Sequence, residues 1–409
     1  MKIAFIGCGF VFDIYMRTVQ AHGELKIAGV FDINPDRMRR VKAYYGFATY
    51  DSFEAVLADP SIEAIINLTP IAAHFEVSKQ ALESGKHVFS EKPLTKNLAQ
   101  SQELFQIAEA NGKRLYAAPT NIFADNIRTI FRAVERGAIG KPLLIYAELD
   151  DSPIHLMQFE KVKSPTGAPW PLRDEILEGC TFEHIGYHLV WICGLLGPVI
   201  SGTAFSSELI EDKIAGLPSR VGTPDYSVAC LHFAGGASAR ITCSVVAPRD
   251  HKMRIIGREG ELISDTYRQF RSPVYFERYT STSLNARKFR TIRKLPVLGR
   301  LLGVGGRQLR LAQNWKSDAV RKSQLRRPAL QQRLVEWLRR REVYAQDKLV
   351  GVAEMAREIR QGQPQYMPKD FILHINELTL LVQAGGTGGH AFRPSTSFQP
   401  IGPIPGTME

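Results

Sequence analysis

Five short apolar runs, KIAFIG, LKIAGVFD, EAIINL, KHVFSE and KRLYAAP, punctuate the first 120 residues, each bounded by Gly, Asp or Pro. Helix-like stretches separate them at 12–22, 35–45, 72–84 and 98–111. Unbroken apolar runs of this length suit strands covered on both faces. When they alternate with helices, the economical arrangement is a doubly wound parallel sheet. That alternation also says where to look for function, because such sheets bind ligands in the crevice at their carboxyl ends.

After Gly140 the pattern changes. LLIYAELD, ISGTAFSS, YSVACLHF, ASARITCSVVA and MRIIGREGELISDT are rich in β-branched residues and are joined by turns such as Ala234-Gly235-Gly236 and Arg258-Glu259-Gly260. They predict a largely antiparallel sheet. Helix-like stretches at 329–361 and 371–383 follow, then a glycine- and proline-rich tail. The expected division is a first domain over 1–122 and a second α/β domain over 123–409.

Three motifs fall at expected strand ends. Gly7-Cys8-Gly9-Phe10-Val11-Phe12 follows the first strand and opens a helix, as G-x-G-x-x-F. Gly7 permits a tight turn, and Gly9 lets the backbone approach a pyrophosphate. Asp32 ends the second strand, where a carboxylate accepts from the ribose hydroxyls of NAD and repels the extra phosphate of NADP. Arg37 lies near enough to soften that preference. NAD is therefore favoured over NADP. Asn67-Leu68-Thr69-Pro70 ends the third strand, with Thr69 and Pro70 equally suited to starting a helix. His74, one turn on, reads equally as a packed histidine or as a ligand contact. Glu91-Lys92-Pro93 ends the fourth strand. A lysine there can stabilise the alkoxide from which hydride leaves, or form a surface salt bridge.

Further on, Thr181-Phe182-Glu183-His184-Ile185-Gly186-Tyr187-His188 places His184 and His188 on one face if Thr181 starts a helix. Paired histidines suit proton transfer near neutrality. The zinc-protease pattern needs a glutamate that is missing here, so no metal is expected.

Composition narrows the class. The five cysteines show no paired spacing, which fits reduced thiols and a cytoplasmic setting. No apolar run approaches the ~18 residues of a membrane span. The run before Cys8 is too short for a secretory signal.

Together these residues resemble the glucose–fructose oxidoreductase / inositol dehydrogenase family (Gfo/Idh/MocA). The resemblance rests on GCGF at 7–10, Asp32, NLTPIAAH at 67–74, EKP at 91–93, GAIGKP at 137–142 and GxH at 186–188. It implies an N-terminal Rossmann domain, a C-terminal α/β domain with an open, mainly antiparallel sheet, and homo-oligomers. It also implies NAD(P)-linked oxidation or reduction of a sugar, sugar nucleotide or related compound. By resemblance Lys92 is the catalytic lysine, followed by a cis proline, and His188 the acid/base or orienting histidine, with His184 beside it. The cofactor set becomes Gly7, Gly9, Phe10, Val11, Asp32, Arg37, Thr69, Pro70, His74, Glu91 and Asn121. Trp170 and Arg173, in a loop resembling the family's substrate loop, join Lys92 and His188 as substrate contacts. Two departures stand out: His184 and Trp191 occupy positions where the family usually has Asp. Two rivals stay open on this account, a redox-neutral NAD-retaining glycosidase or lyase and a non-catalytic dinucleotide sensor or scaffold.

The net charge of +11 is unevenly spread. Residues 268–341 hold 20 Lys/Arg against 3 Asp/Glu, and the rest of the chain is slightly acidic. This stretch reads as a basic insertion suited to an anionic membrane surface or to a solvated arm or oligomer contact. No nucleic-acid module accompanies it, so nucleic acid is disfavoured. With the resemblance, it suggests work on cell-surface polysaccharide precursors at the inner membrane face.

Overall fold

The computed structural model describes residues 1–158, 161–313 and 346–406. Strands β1 (Lys2–Ile6), β2 (Lys26–Phe31), β3 (Ala64–Asn67), β4 (His87–Ser90) and β5 (Leu115–Ala117) form a parallel sheet in the order β2-β1-β3-β4-β5. Every residue of β3 is buried, and so is β1 from Ile3 onward. This burial on both faces explains the unbroken apolar runs. Helices α1 (Phe10–Met16), α2 (Pro35–Tyr45), α3 (Phe53–Ala58), α4 (His74–Glu83) and α5 (Leu98–Ala110) fall between and after the first four strands. Phe5, Phe12, Tyr15 and Phe89 meet edge to face at centroid separations of 5.4–6.4 Å and fix α1 on the sheet.

The chain crosses to opposite sides of β1 on its way to β2 and then to β3. The carboxyl ends of β1 and β3 therefore flank a topological switch point.

α6 (Asp125–Glu135) leads into a nine-stranded sheet. Its members are β6 (Pro142–Asp150), β7 (Val199–Ser207), β8 (Tyr226–Phe233), β9 (Ser238–Ser244), β10 (Met253–Gly257), β11 (Gly260–Ser264), β12 (Val274–Arg278), β13 (Arg307–Gln308) and β14 (His390–Phe392). The order is β13-β12-β11-β10-β6-β9-β8-β7-β14, antiparallel except between β6 and β9. Helices α7 (Leu172–Glu178), α8 (Cys180–His184) and α9 (Gly186–Leu196) lie between β6 and β7 in the chain. Exposed α10 (Ser281–Ala286), α11 (Arg290–Lys294) and α12 (Pro296–Leu301) follow β12, and α13 (Val350–Gln361) and α14 (Lys369–Gln383) return to the body. α14 packs on α5 of the first sheet and on α8, α9 and β7 of the second, joining the two halves.

Several expectations need correction. The helix expected over 12–22 is split: α1 ends at Met16, and a 3-10 turn covers Val19–Ala21. α3 and α6 were not foreseen. α3 is six residues long, too short for periodicity, and is betrayed only by its Ser52 cap, which accepts from Ala55 N–H at 3.1 Å. α6 buries Arg128, whose guanidinium donates to Phe123 O at 3.0 Å and Pro405 O at 2.6 Å, so a charge interrupts its apolar stripe. β12 pairs fully with β11, so 274–278 belong to the sheet rather than to an insertion. The remainder of the basic stretch from 314, with Trp315, Trp337 and the arginines at 339–341, lies outside the described residues. Among the described residues no helix is long and apolar enough to cross a membrane.

Candidate active site

The glycine turn sits at the switch point. Gly7 has φ +96°, and a Cβ there would lie 2.6 Å from Leu68 O, so two strand-end backbones touch across the crevice. Only glycine meets both demands. Gly9 has open space where its side chain would be. Asp32 is buried, and each carboxylate oxygen takes one backbone N–H, from Cys8 and from Asn34, both at 2.7 Å. The carboxylate thus ties the end of β2 to the glycine turn. Arg37 approaches it at 3.6 Å. Thr69 and Pro70 stand on the crevice rim. Thr69 caps no helix: its hydroxyl donates to Asn67 Oδ1 at 2.6 Å, and a 3-10 turn precedes α4. His74 is buried, with its ring nitrogens 2.8 Å from Pro93 O and 3.0 Å from Thr69 O. It clamps the third strand's exit to the fourth's.

Lys92 extends from the end of β4, and the following peptide to Pro93 is cis. Its ammonium makes a close ion pair with Glu183 of α8 and lies 6.0 Å from the Tyr187 ring centroid. Burial opposes the charge on Lys92, but Glu183, Tyr187 and Glu91 override it and hold the amine well above the ordinary lysine range. Lys92 is therefore an ammonium near neutrality, able to donate to an oxygen but not to take its proton. Glu183 lies one position before the place where the family's Asp is expected, and its carboxylate is the one that meets Lys92.

A second lysine arrives from a distant part of the chain. Lys348 Nζ donates to Glu91 Oε1 at 3.1 Å and to Tyr187 Oη at 3.0 Å. Glu91 Oε1 also accepts from Tyr15 Oη–H at 2.9 Å. Burial disfavours the Glu91 carboxylate, yet Lys348 and Lys92 bring its carboxyl down to about 2. Glu91 thus holds the Lys348 ammonium through Oε1 and accepts the backbone N–H of Lys92 through Oε2 at 3.1 Å. Lys348 is placed by its neighbour Asp347, which accepts from Thr18 Oγ1 at 2.6 Å and holds His22 Nε2 at 2.9 Å. No local pattern marks Lys348, Tyr15 or Tyr187 in the sequence. Their roles arise from contacts between segments 76 to 257 residues apart.

The histidines part company. The helix expected from Thr181 starts at Cys180 and is interrupted at one residue, Ile185, between α8 and α9; Ile185 keeps right-handed helical angles, so His184 and His188 stay about one turn apart, but their rings take different partners. His184 Nε2 lies 3.3 Å from Asp151 Oδ2 and 3.2 Å from Glu175 Oε1, and its buried Nδ1 has no hydrogen-bond partner among the described residues. Asp151 also meets Arg268, His251 and Arg249. Burial opposes that carboxylate, but Arg268, His251 and His184 hold it far below the usual range. His188 is fully buried. Its Nε2 bonds Glu148 O at 2.9 Å, and its Nδ1 accepts from Trp191 Nε1–H at 3.0 Å. Burial pushes it down to about 3. Trp191 therefore fixes His188 as a neutral Nε2–H ring with both nitrogens engaged.

Of the other expected contacts, Asn121 sits behind Tyr187, donating from Nδ2 to Tyr187 O at 2.8 Å while its buried Oδ1 has no partner among the described residues. Phe10 and Trp170 meet edge to face at 4.8 Å, so the loop before α7 closes on the glycine turn. Thr166 of the same loop donates through its hydroxyl to Asp13 Oδ2 at 2.7 Å. Arg173 is not brought to Lys92. It is exposed and reaches Gly216 O at 3.4 Å. Among the described residues no group of three metal-ligating side chains converges.

A glycine turn at a switch point, an acidic residue just past β2 and a half-buried lysine just past β4 define a dinucleotide-dependent oxidoreductase. The comparisons agree. Residues 1–118 match the model of the oxidoreductase family with an NAD-binding Rossmann fold, and residues 127–263 match the GFO/IDH/MocA C-terminal domain. The chain belongs to this family. It is 25% identical over 274 residues to myo-inositol 2-dehydrogenase of Thermotoga maritima, covering 66% of this chain and 76% of that protein. It is 27% identical over 221 residues to scyllo-inositol 2-dehydrogenase (NAD(+)) of Bacillus subtilis, covering 53% and 59%. The fold matches levoglucosan dehydrogenase in complex with NADH and levoglucosan at a TM-score of 0.68 and 17% identity, over 93% of this chain and 95% of that one. It also matches UDP-N-acetylglucosamine 3-dehydrogenase of Acidithiobacillus ferrooxidans at 0.63 and 16%, over 95% and 98%.

Proposed function

We propose that this chain interconverts a secondary hydroxyl and a carbonyl on a sugar, cyclitol or sugar nucleotide, using NAD, with Lys92 donating to the reacting oxygen. The observation that carries the reading is the Lys92–Glu183 ion pair at the end of β4. By sheet order it stands two strand spacings, roughly 10 Å, from the glycine turn. The residues present fit the cofactor. Gly7, Gly9, Phe10 and Val11 would offer backbone to the pyrophosphate, Asp32 and Arg37 would meet the adenosine ribose, and Thr69, Pro70 and Glu91 would stand toward the nicotinamide end. Asn121 Oδ1, buried without a partner among the described residues, is an unused acceptor beside Tyr187. When bound, the nicotinamide supplies or accepts hydride. The Lys92 ammonium stabilises negative charge on the substrate oxygen, and the apolar wall of Leu94, Phe182 and Val190 behind it limits water.

Asp32 supports NAD over NADP, because its carboxylate repels a ribose phosphate. Replacing Lys92 with Ala should abolish turnover and leave NADH binding, measured by calorimetry, within a few-fold. Near-normal turnover in that variant removes Lys92 from the mechanism. Stoichiometric appearance of NADH separates this reading from a redox-neutral one. Native mass spectrometry of the purified protein reads the retained cofactor and the number of subunits, which we expect to be more than one.

A peripheral membrane role is supported by α10–α12. There Phe289, Leu295, Val297 and Leu301 are 51–78% exposed, among exposed Lys288, Arg290, Lys294 and Arg300. From 279 to 313 there is no Asp or Glu. Apolar side chains beside basic ones suit an anionic lipid surface, each basic group adding about 1 kcal/mol. Such a surface would place the enzyme beside lipid-linked saccharide precursors. Sedimentation with phosphatidylserine vesicles, and its loss when Phe289, Leu295 and Leu301 become Ser, tests this. No sedimentation of the intact chain rules it out.

A further inference from the structure

We propose that Tyr187, held by Lys348, exchanges the proton with the reacting oxygen. This rests on the oxidoreductase reading above and adds a residue that the sequence motifs do not mark.

Hydride chemistry at a secondary alcohol needs a proton acceptor as well as a charge stabiliser, within hydrogen-bond reach of the oxygen. Each ionisable group around Lys92 can be weighed for that task. Lys92 is already protonated and paired with Glu183. Glu183 is committed to Lys92, and the charges of Lys92 and His184 outweigh burial and lower its carboxyl. Glu91 carries Tyr15 and Lys348. His188, the expected acid/base, has both nitrogens engaged inside the core. His184 faces Asp151 and Glu175.

Tyr187 remains. Its ring is half-buried, packed on Tyr267 at 5.2 Å, with the Lys92 amine 6.0 Å from its centroid. Its hydroxyl oxygen accepts from the Lys348 ammonium at 3.0 Å. Negative charge on that oxygen faces Lys348 directly and Lys92 across the ring, with Arg268 beyond Tyr267. Lys348 is kept in place by Glu91 on one side and by the buried Asp347 anchor on the other. The tyrosine and lysine thus form a pre-set couple on the side of the crevice where Lys92 projects.

In the oxidative direction Tyr187 acts as the phenolate, its own proton already given up past Lys348 to water; the substrate O–H bond breaks and that proton passes to the phenolate oxygen. The electron pair of that bond becomes the second carbonyl bond, while the C–H pair leaves as hydride to the nicotinamide acceptor. The proton then exits past Lys348 to water. In the reductive direction Tyr187 Oη–H protonates the alkoxide, and solvent restores the proton.

The test uses the full-length protein and a panel of inositols and sugars with NAD. Tyr187→Phe keeps the ring and its packing, so NADH affinity by calorimetry should stay within threefold while kcat falls roughly 100-fold or more. Lys348→Met should lower kcat and move the alkaline-rising limb of its pH profile to higher pH, and Lys348→Arg should restore part of both. His188→Gln is the control: its kcat profile should keep its shape. Tyr187→Phe within threefold of wild-type kcat, or a Lys348→Met profile superimposable on wild type, overturns the proposal. If Lys92→Ala is inactive in the same assays while Tyr187→Phe is active, only this assignment falls. If wild type turns over no carbinol, the parent reading falls and takes this one with it.

Discussion

The anchor that delivers Lys348 makes a prediction with a definite sign. His22 is wholly buried, with Nε2 2.9 Å from Asp347 Oδ2 and Nδ1 3.3 Å from Glu24 Oε1. Burial favours the neutral ring, but Asp347 and Glu24 prevail and raise His22 to about 9. A histidine raised in this way contributes fully below its unfolded value of ~6.5 and loses that contribution as pH climbs through the folded one. The interval is worth roughly 3 kcal/mol at pH ~6, about 1.4 kcal/mol at pH ~8 and almost nothing by pH ~9.5. Asp347→Asn keeps the shape and an acceptor but removes the charge. Urea unfolding of both proteins at those three pH values, with the variant subtracted from wild type, cancels most other titrating groups. The difference should shrink steadily toward the alkaline end. A gap that is constant with pH, or that widens, refutes the argument, because the pairing would then act by shape alone.

Three further outcomes follow from the same geometry. Gly7→Ala drives a Cβ to 2.6 Å from Leu68 O at a φ of +96°, so it should cost 2 kcal/mol or more. It should also abolish NADH binding, and calorimetry that finds normal binding would show the turn to be plastic. Trp191→Phe leaves His188 Nδ1 buried and unbonded, at a cost of about 1–3 kcal/mol readable as a lower melting temperature. The pH dependence of kcat should be unmoved, and a shift in it would put His188 in the proton path. Of the five cysteines only Cys230 is exposed, and burial pushes the Cys8 thiol up to about 12. Iodoacetamide should therefore label one thiol per native chain by mass spectrometry, and labelling of Cys8 would mean that the glycine turn opens.

The legible parts of the site were those with local causes. Gly7 and Gly9 obey backbone sterics, Asp32 ends its strand, and Lys92 follows a strand that could only be buried. The histidine pair was legible as a spacing but not as a set of contacts: His184 meets Asp151 and Glu175, while His188 meets Glu148 O and Trp191. Arg173 was not legible in direction: its position before α7 does not say where the side chain goes, and it reaches Gly216 O. Glu183 was visible only as a neighbour of a missing aspartate, since which way it points depends on where α8 starts.

What the amino-acid order determined alone is therefore the parallel sheet, its crevice and the groups at its rim. Periodicity, glycine sterics and strand termini act over a few residues and need no partner. Only the tertiary structure decided which charges meet there. Lys348 reaches Glu91 and Tyr187 across 257 and 161 residues of chain, and Trp191 seals His188 once the second sheet closes over it. Such encounters depend on how whole elements pack, because a buried charge persists only where packing brings it a counter-charge.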